Sequence, residues 1–149
     1  MSPKADIKGM AELESMFKQL GKVPQTVATK SARAGARIAL KAAKANAPVD
    51  TGDLKRGIIL KREKRRKPGK AVYDVMMSPH MNDVFVKISK DGKRSYYPAS
   101  QEYGFLTVDG GYVPGYRFLR NSIDDNKSAI EKKVLETAGK EVDKALRKR

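Results

Sequence analysis

The sequence predicts an α+β fold: N-terminal helices and a long C-terminal helix packed on a small, mainly antiparallel sheet, with an extended basic hairpin or loop. Three observations predict it. Apolar residues recur three and four apart near both ends of the chain, an alanine-rich stretch runs without a break to Pro48, and the middle carries short β-branched runs punctuated by glycine and aspartate. At 149 residues the chain has the length of one domain, 1–149, with a single modest core.

The first element is an amphipathic helix over 1–21. From Asp6 onward, Ile7, Met10, Leu13, Phe17 and Leu20 share a face, and Gly21 ends the pattern. After Val23-Pro24 a second, alanine-rich helix spans 24–47, because alanine is the best helix former and Pro48 supplies the stop. Lys30, Arg33, Arg37, Lys41 and Lys44 fall on one side of it, within an arc of roughly 80° at about 100° per residue. Ala28, Ala32, Ala36, Ala39 and Ala43, with Ile38 and Leu40, cover much of the rest and read as a packing surface within or between subunits. A solvated helix face usually interleaves both signs of charge. Between Lys22 and Ala47 there is no acidic residue, which favours a partner for the stripe.

The sheet region is 53–105. Asp53 begins a short helical turn that gives way to the apolar strand Ile58-Ile59-Leu60. Over 61–70, seven of ten residues are basic and Pro68-Gly69 breaks regular pairing, so this segment is expected to be an extended, mobile hairpin tip or loop. Strands are expected over 71–78 and 84–89, the second with Val84, Val86 and Ile88 on one face and Phe85, Lys87 and Ser89 on the other. Asp91-Gly92 then turns the chain into a strand near Tyr96. The glycine-rich stretch 106–117 lacks the order of a phosphate-binding loop and is expected to be flexible. A charged helix over 118–147 closes the chain, with Ile130, Val134, Ala138, Val142, Ala145 and Leu146 on one stripe.

Charge bounds the function. The formal net charge is +15, and the segment from Lys22 to Lys70 alone holds fifteen Lys/Arg against three acidic residues. Such asymmetry points to a polyanion or an acidic protein surface as partner. With no cysteine and only His80, neither a disulfide nor a zinc or iron centre is expected, and no cofactor is. No apolar run approaches a membrane span, and the N-terminus lacks a signal-peptide pattern, so a cytoplasmic assembly site is expected. Asp50-Thr51-Gly52 is the triplet of aspartic proteases, but those enzymes need two such aspartates sharing a proton in an apolar cleft. Here a helix cap explains the residues better: Asp50 is expected to cap the next turn, with Asp53 in the manner of a capping box. Glu102 and the pair Asp124-Asp125 are expected beside helix termini. No catalytic site, metal site or small-molecule substrate is expected, and no signature of base-specific nucleic-acid reading is present.

Three segments in order carry a resemblance: Ala47-Pro48-Val49-Asp50-Thr51-Gly52-Asp53-Leu54, then Tyr97 with Glu102-Tyr103-Gly104, then Phe118-Leu119-Arg120. They resemble the phage neck and tail-completion family typified by gene product ten of phage Hong Kong 97, to which the minor tail protein Z of phage lambda looks related. Phe105, Arg117 and Asn121 depart from the family's usual Thr, Pro and Pro. The resemblance implies a non-enzymatic α+β subunit of a long-tailed phage virion, assembled as a hexameric ring at the head-tail interface around the DNA path. It implies contacts with adjacent head-completion or stopper and tail-tube proteins, and none with membrane. Gly52 and Gly104 would occupy tight turns, and Phe118 with Leu119 would anchor the last helix. Lys30, Arg33, Arg37, Lys41, Lys44, Arg62, Lys64, Arg65, Arg66 and Lys67 are the candidates for facing genomic DNA, bound non-specifically, or an acidic neighbour. A free-standing, non-specific basic nucleic-acid-binding protein is the alternative, which explains the charge but not the three motifs.

Overall fold

A computed structural model describes residues 10–64 and 67–148. Helix α1 (Met10–Asn46) is the spine. It is followed by α2 (Asp53–Gly57), strands β1 (Ile58–Arg62) and β2 (Tyr73–Met77), a 3-10 turn (Pro79–Met81), and α3 (Asn82–Phe85). Next come β3 (Val86–Ile88), β4 (Arg94–Tyr96), α4 (Tyr97–Tyr103), β5 (Gly104–Leu106), β6 (Tyr112–Pro114), α5 (Phe118–Asp124) and α6 (Lys127–Arg147). The fold is α+β with antiparallel pairing, as the sequence predicts, but the strands form three separate two-stranded hairpins, β1-β2, β3-β4 and β5-β6.

Four expectations need correction. The helix does not break at Gly21 to Pro24: α1 runs through both. Inside a helix proline loses its own N–H bond and crowds the carbonyl of the fourth residue back, but the helix on either side of it is held from outside, by α6 along one flank and by the β1-β2 hairpin on another. Asp6, Ile7 and the side chains of Met10, Leu13 and Phe17 lie outside the described residues. The expected final helix is two helices, because a turn at Asp125-Asn126 separates α5 from α6. That turn lets α5 bury Phe118 and Ser122 at the core end of α1 while α6 lies along the rest of the spine.

The third correction concerns 106–117, which is a hairpin. Phe105 pairs with Val113 and Leu106 with Tyr112, and Gly110 N–H donates to Thr107 O (3.1 Å) across a turn of the same Asp-Gly type as 91–92. The fourth is the alternation around Val84. Residues 82–85 form a helical turn, which swings Phe85 inward to full burial and leaves Val84 and Ile88 exposed. The Phe85 ring meets Tyr96 edge-on, with centroids 6.2 Å apart.

The core gathers at the C-terminal end of α1: Ala43, Ala47, Leu54, Ile58, Met77, Phe85 and Phe118. Phe118 and Leu119 anchor α5 there, Phe118 fully buried and Leu119 packed against the cluster. Further back along α1, Ser31, Gly35, Ala39 and Ala43 repeat every fourth residue and are buried, so they form one seam of small side chains. A Cβ on Gly35 would lie 2.6 Å from Val134 Cγ2 and 3.1 Å from Ile130 Cγ2, so α6 approaches as closely as a bare backbone permits. The alanine-rich face is thus used within the subunit. On α6 the residues facing α1 include Ile130, Val134, Ala138 and Ala145, whereas Val142 and Leu146 of the expected stripe are exposed.

Candidate contact surfaces

The basic stripe lies opposite the small-residue seam. At about 100° per residue, Arg37 is roughly 160° away from Ala39 around α1, so burying one exposes the other. Arg33, Arg37 and Lys41 are exposed, Lys44 is half-buried, and among the described residues Arg33, Arg37 and Lys41 carry no ion pair. Lys30 is already engaged, since its Nζ lies 2.7 Å from Glu141 Oε2 of α6. That hydrogen bond is the main reason the Glu141 carboxyl is held below its ordinary pKa.

The β1-β2 hairpin carries the second basic segment. Arg62 Nη2 donates to Thr29 Oγ1 (3.1 Å). Gln25 holds the far end from both sides of its amide: Nε2 donates to Lys70 O (3.2 Å), and Oε1 accepts from Gly69 N–H (2.9 Å). The segment therefore folds back on α1, where the sequence predicts a loose tip. Asn, Gln, Ser and Thr along a helix give little sequence signal, and spacing alone does not single out Gln25. Thr29 and Val27 sit on opposite sides of Lys30 around the helix, so hairpin and α6 flank the stripe and leave it open between them. Arg62, Lys64 and Lys67 are exposed; Arg65 and Arg66 lie outside the described residues.

The motif residues 48–54 form the joint between α1 and α2. Pro48 follows the end of α1, and Leu54 is buried in the core. Gly52 has φ +82°, the tight turn expected. The cap differs from expectation. Asp50 is exposed and makes no side-chain hydrogen bond among the described residues, while the Thr51 hydroxyl accepts from Asp53 N–H (3.3 Å) and donates to Asp53 Oδ2 (2.6 Å). Thr51 and Asp53 are two positions apart, which suits a short hydroxyl turn; Asp50 is one residue too far back. The Thr51 bond, then the ion pair with Arg56, hold the Asp53 carboxyl below its usual range. Asp50 acts instead on Tyr97: burial first, and then the Asp50 charge, push that phenol up.

The second and third motifs meet each other. Glu102 is buried, and its carboxylate accepts the N–H groups of Leu119 (2.8 Å) and Arg120 (3.1 Å), the free donors of the first turn of α5. A helix normally takes this from a Ser, Asp or Asn just before it; here Arg117 stands in that place, left-handed at φ +50°. Glu102 O also accepts from Arg117 N–H (3.1 Å). Gly104 follows at φ +87°, and a Cβ there would collide with Val113 O across the β5-β6 hairpin. Tyr103 is exposed, and Arg120 pairs with Asp124 at the surface (3.2 Å). A cap delivered from seventeen residues away has no local signature, which is why the sequence shows the motifs but not their bond.

Among the described residues there is no group of three or more His, Cys, Asp or Glu that could hold a metal ion, and no helix long and apolar enough to cross a membrane. His80 is exposed in the 3-10 turn. What distinguishes the molecule is its surfaces. This is an α+β protein with a basic helix face, a basic hairpin and an apolar hairpin.

Residues 11–77 match the family model described as "Bacteriophage HK97-gp10, putative tail-component", so over that span the chain is similar to that family. The match covers most of α1 together with α2 and the β1-β2 hairpin, and it supports the resemblance carried by the motifs. It indicates a phage tail component, consistent with a structural protein of the virion that works against other phage structural proteins. Neither the curated proteins nor the solved structures provide a match.

Proposed function

We propose that this protein is a non-enzymatic virion component that assembles as a closed ring at the head-tail interface of a long-tailed phage, around the DNA path. The observation that carries the reading is the tail-component match over 11–77, the part of the chain that holds both basic segments. A ring around DNA needs a surface that tolerates polyphosphate. Arg33, Arg37 and Lys41 recur every fourth residue along α1, about 6 Å apart, and Arg62, Lys64 and Lys67 stand on the adjacent hairpin. Ring neighbours would be copies of the chain, six if it follows the tail tube, with head-completion and tail-tube proteins above and below. The basic face meets either the genome or an acidic ring.

Imaging of intact particles tests this: copies related by rotation about the tail axis are expected, and a lone asymmetric copy at the neck would sink the reading. Asp50→Asn tests the absence of catalysis. With no side-chain hydrogen bond to lose among the described residues, the variant should change stability by less than about 0.5 kcal/mol, and no hydrolytic activity should disappear with it. The +15 charge favours a second reading, a free-standing nucleic-acid binder; it predicts function without virion incorporation, which fractionating purified particles would reveal.

A further inference from the structure

The β5-β6 hairpin is the most apolar exposed feature of a highly charged molecule. Phe105, Leu106, Val108 and Tyr112 are each between 46% and 104% exposed, and Tyr103 and Tyr116 flank them. Burying one aromatic side chain removes about 150–250 Å² from water, so this patch amounts to several hundred Å², on the scale of the roughly 800 Å² that each partner contributes to a standard interface. Patches of that size on a soluble protein mark contact sites.

Charge says what covers it. From Ser95 to Tyr116 the chain has no lysine or arginine, a gap of 22 residues in a sequence that holds 32 of them, and its acids are Glu102 and Asp109. Glu102 is buried on α5, leaving Asp109, beside the Gly110 turn, as the outward charge. The hairpin therefore presents an apolar surface with a negative tip. A matching recess exists at the other end of the spine. Between the N-terminal half of α1 and the last turns of α6 lies a groove of about 470 Å³, floored by Leu20, Val23, Val27 and Ala145 and edged by Lys22, Lys144 and Lys148.

Hairpin and groove cannot meet within one chain. Val27 and Ala43 are sixteen residues apart, about 24 Å along α1. The hairpin is rooted at the Ala43 end through Glu102 and Phe118, and its five residues from Gly104 to the tip reach roughly 17 Å. We propose that the β5-β6 hairpin of one copy seats Leu106 and Val108 in the α1-α6 groove of a second copy, with Asp109 against the lysine edge. Two different patches then join, a head-to-tail contact that repeats from copy to copy and closes only if the rotation allows. The proposal deepens the assembly reading and rests on it for the closed ring, but the contact itself is testable in solution.

The chain has no native cysteine, so introduced thiols report unambiguously. A Val108→Cys/Ala145→Cys double variant of the full chain, oxidised at concentrations where wild type sediments faster than a monomer, should give a ladder of disulfide-linked oligomers. Val49→Cys/Ala145→Cys, whose first thiol is also well exposed but lies outside the hairpin, should not. Asp109→Lys should weaken self-association, and adding Lys144→Glu and Lys148→Glu should restore it; circular dichroism confirms that each variant is folded. Wild type that stays monomeric up to its solubility limit overturns the proposal, as do equal ladders from both cysteine pairs or a charge reversal without effect. Those results leave the ring reading standing, because it is decided by the symmetry of copies in the particle.

Discussion

The β1-β2 and β5-β6 hairpins are built alike and used differently. Both are antiparallel and both project from the same core, yet one carries Arg62, Lys64 and Lys67 into solvent and the other carries Phe105, Leu106 and Val108. Their anchoring differs as well. The basic hairpin enters the core at Ile58 and Met77 and is held further out by polar bonds from Gln25 and Thr29 at the surface of α1. The apolar hairpin is fixed at its root by a buried carboxylate and a glycine that no side chain can replace. A charged hairpin keeps its side chains solvated and lies along α1 only where Gln25 and Thr29 hold it, whereas an apolar one would collapse onto the nearest surface unless its root dictates the direction. The difference teaches that the apolar hairpin's orientation is an imposed property, and imposed properties break sharply.

Gly104→Ala should have the largest effect. It combines a backbone conformation that costs about 1–3 kcal/mol for a side-chain-bearing residue with a collision at Val113 O, so a loss of about 3 kcal/mol or more is expected, visible as a drop in Tm. A neutral result would mean the root is not what orients the hairpin. Glu102→Ala should follow, at roughly 1.5–3 kcal/mol, because it removes charged hydrogen bonds to two N–H groups of α5. Glu102→Gln keeps one acceptor and should lose less; equal losses would show that packing, not capping, is what Glu102 supplies.

The basic hairpin should respond in a different observable. Changing Arg62, Lys64 and Lys67 to Gln, along with Arg65 and Arg66, should leave stability within about 0.5 kcal/mol. If the hairpin faces DNA, the slope of log K against log salt should flatten by about 0.9 for each phosphate that the variant no longer neutralises. If it faces an acidic protein ring, DNA binding stays as it was and head-to-tail joining fails. Unchanged behaviour in both assays would reduce the segment to a solubilising loop.

The smallest effect concerns pH. Glu141 has its pKa lowered from 4.5 by the Lys30 hydrogen bond. A depressed carboxyl contributes stability that is present above its unfolded pKa and is lost as pH falls through the folded value. Lys30→Met should therefore lower the neutral Tm slightly, since exposed pairs contribute little, and the difference from wild type should close as pH falls below 4.5. An identical acid-side profile in wild type and variant would show the pair to be silent.

Composition and periodicity alone determined much of this protein. The basic stripe, the short helix before β1 and the Asp91-Gly92 turn follow from rules that act over a few residues, and local rules are legible in a string; the tight turn at Gly104 and the anchoring by Phe118 were implied by the family resemblance instead. The 109–110 turn was legible too, by the same dipeptide that marks 91–92; the density of glycine around it suggested looseness where there is pairing. Only the tertiary structure decided the rest. α1 continues through Pro24 because α6 and Gln25's hydrogen bonds flank it, and α5 is capped by Glu102 rather than by its own preceding residue. Thr51, not Asp50, serves α2, and Lys30 leaves the basic face to pair with Glu141. Apart from the Thr51 turn, each of these joins residues seventeen or more apart in sequence. The energy of such a contact depends on where the fold brings the chain back, and a sequence pattern records what a residue can offer, not what arrives beside it.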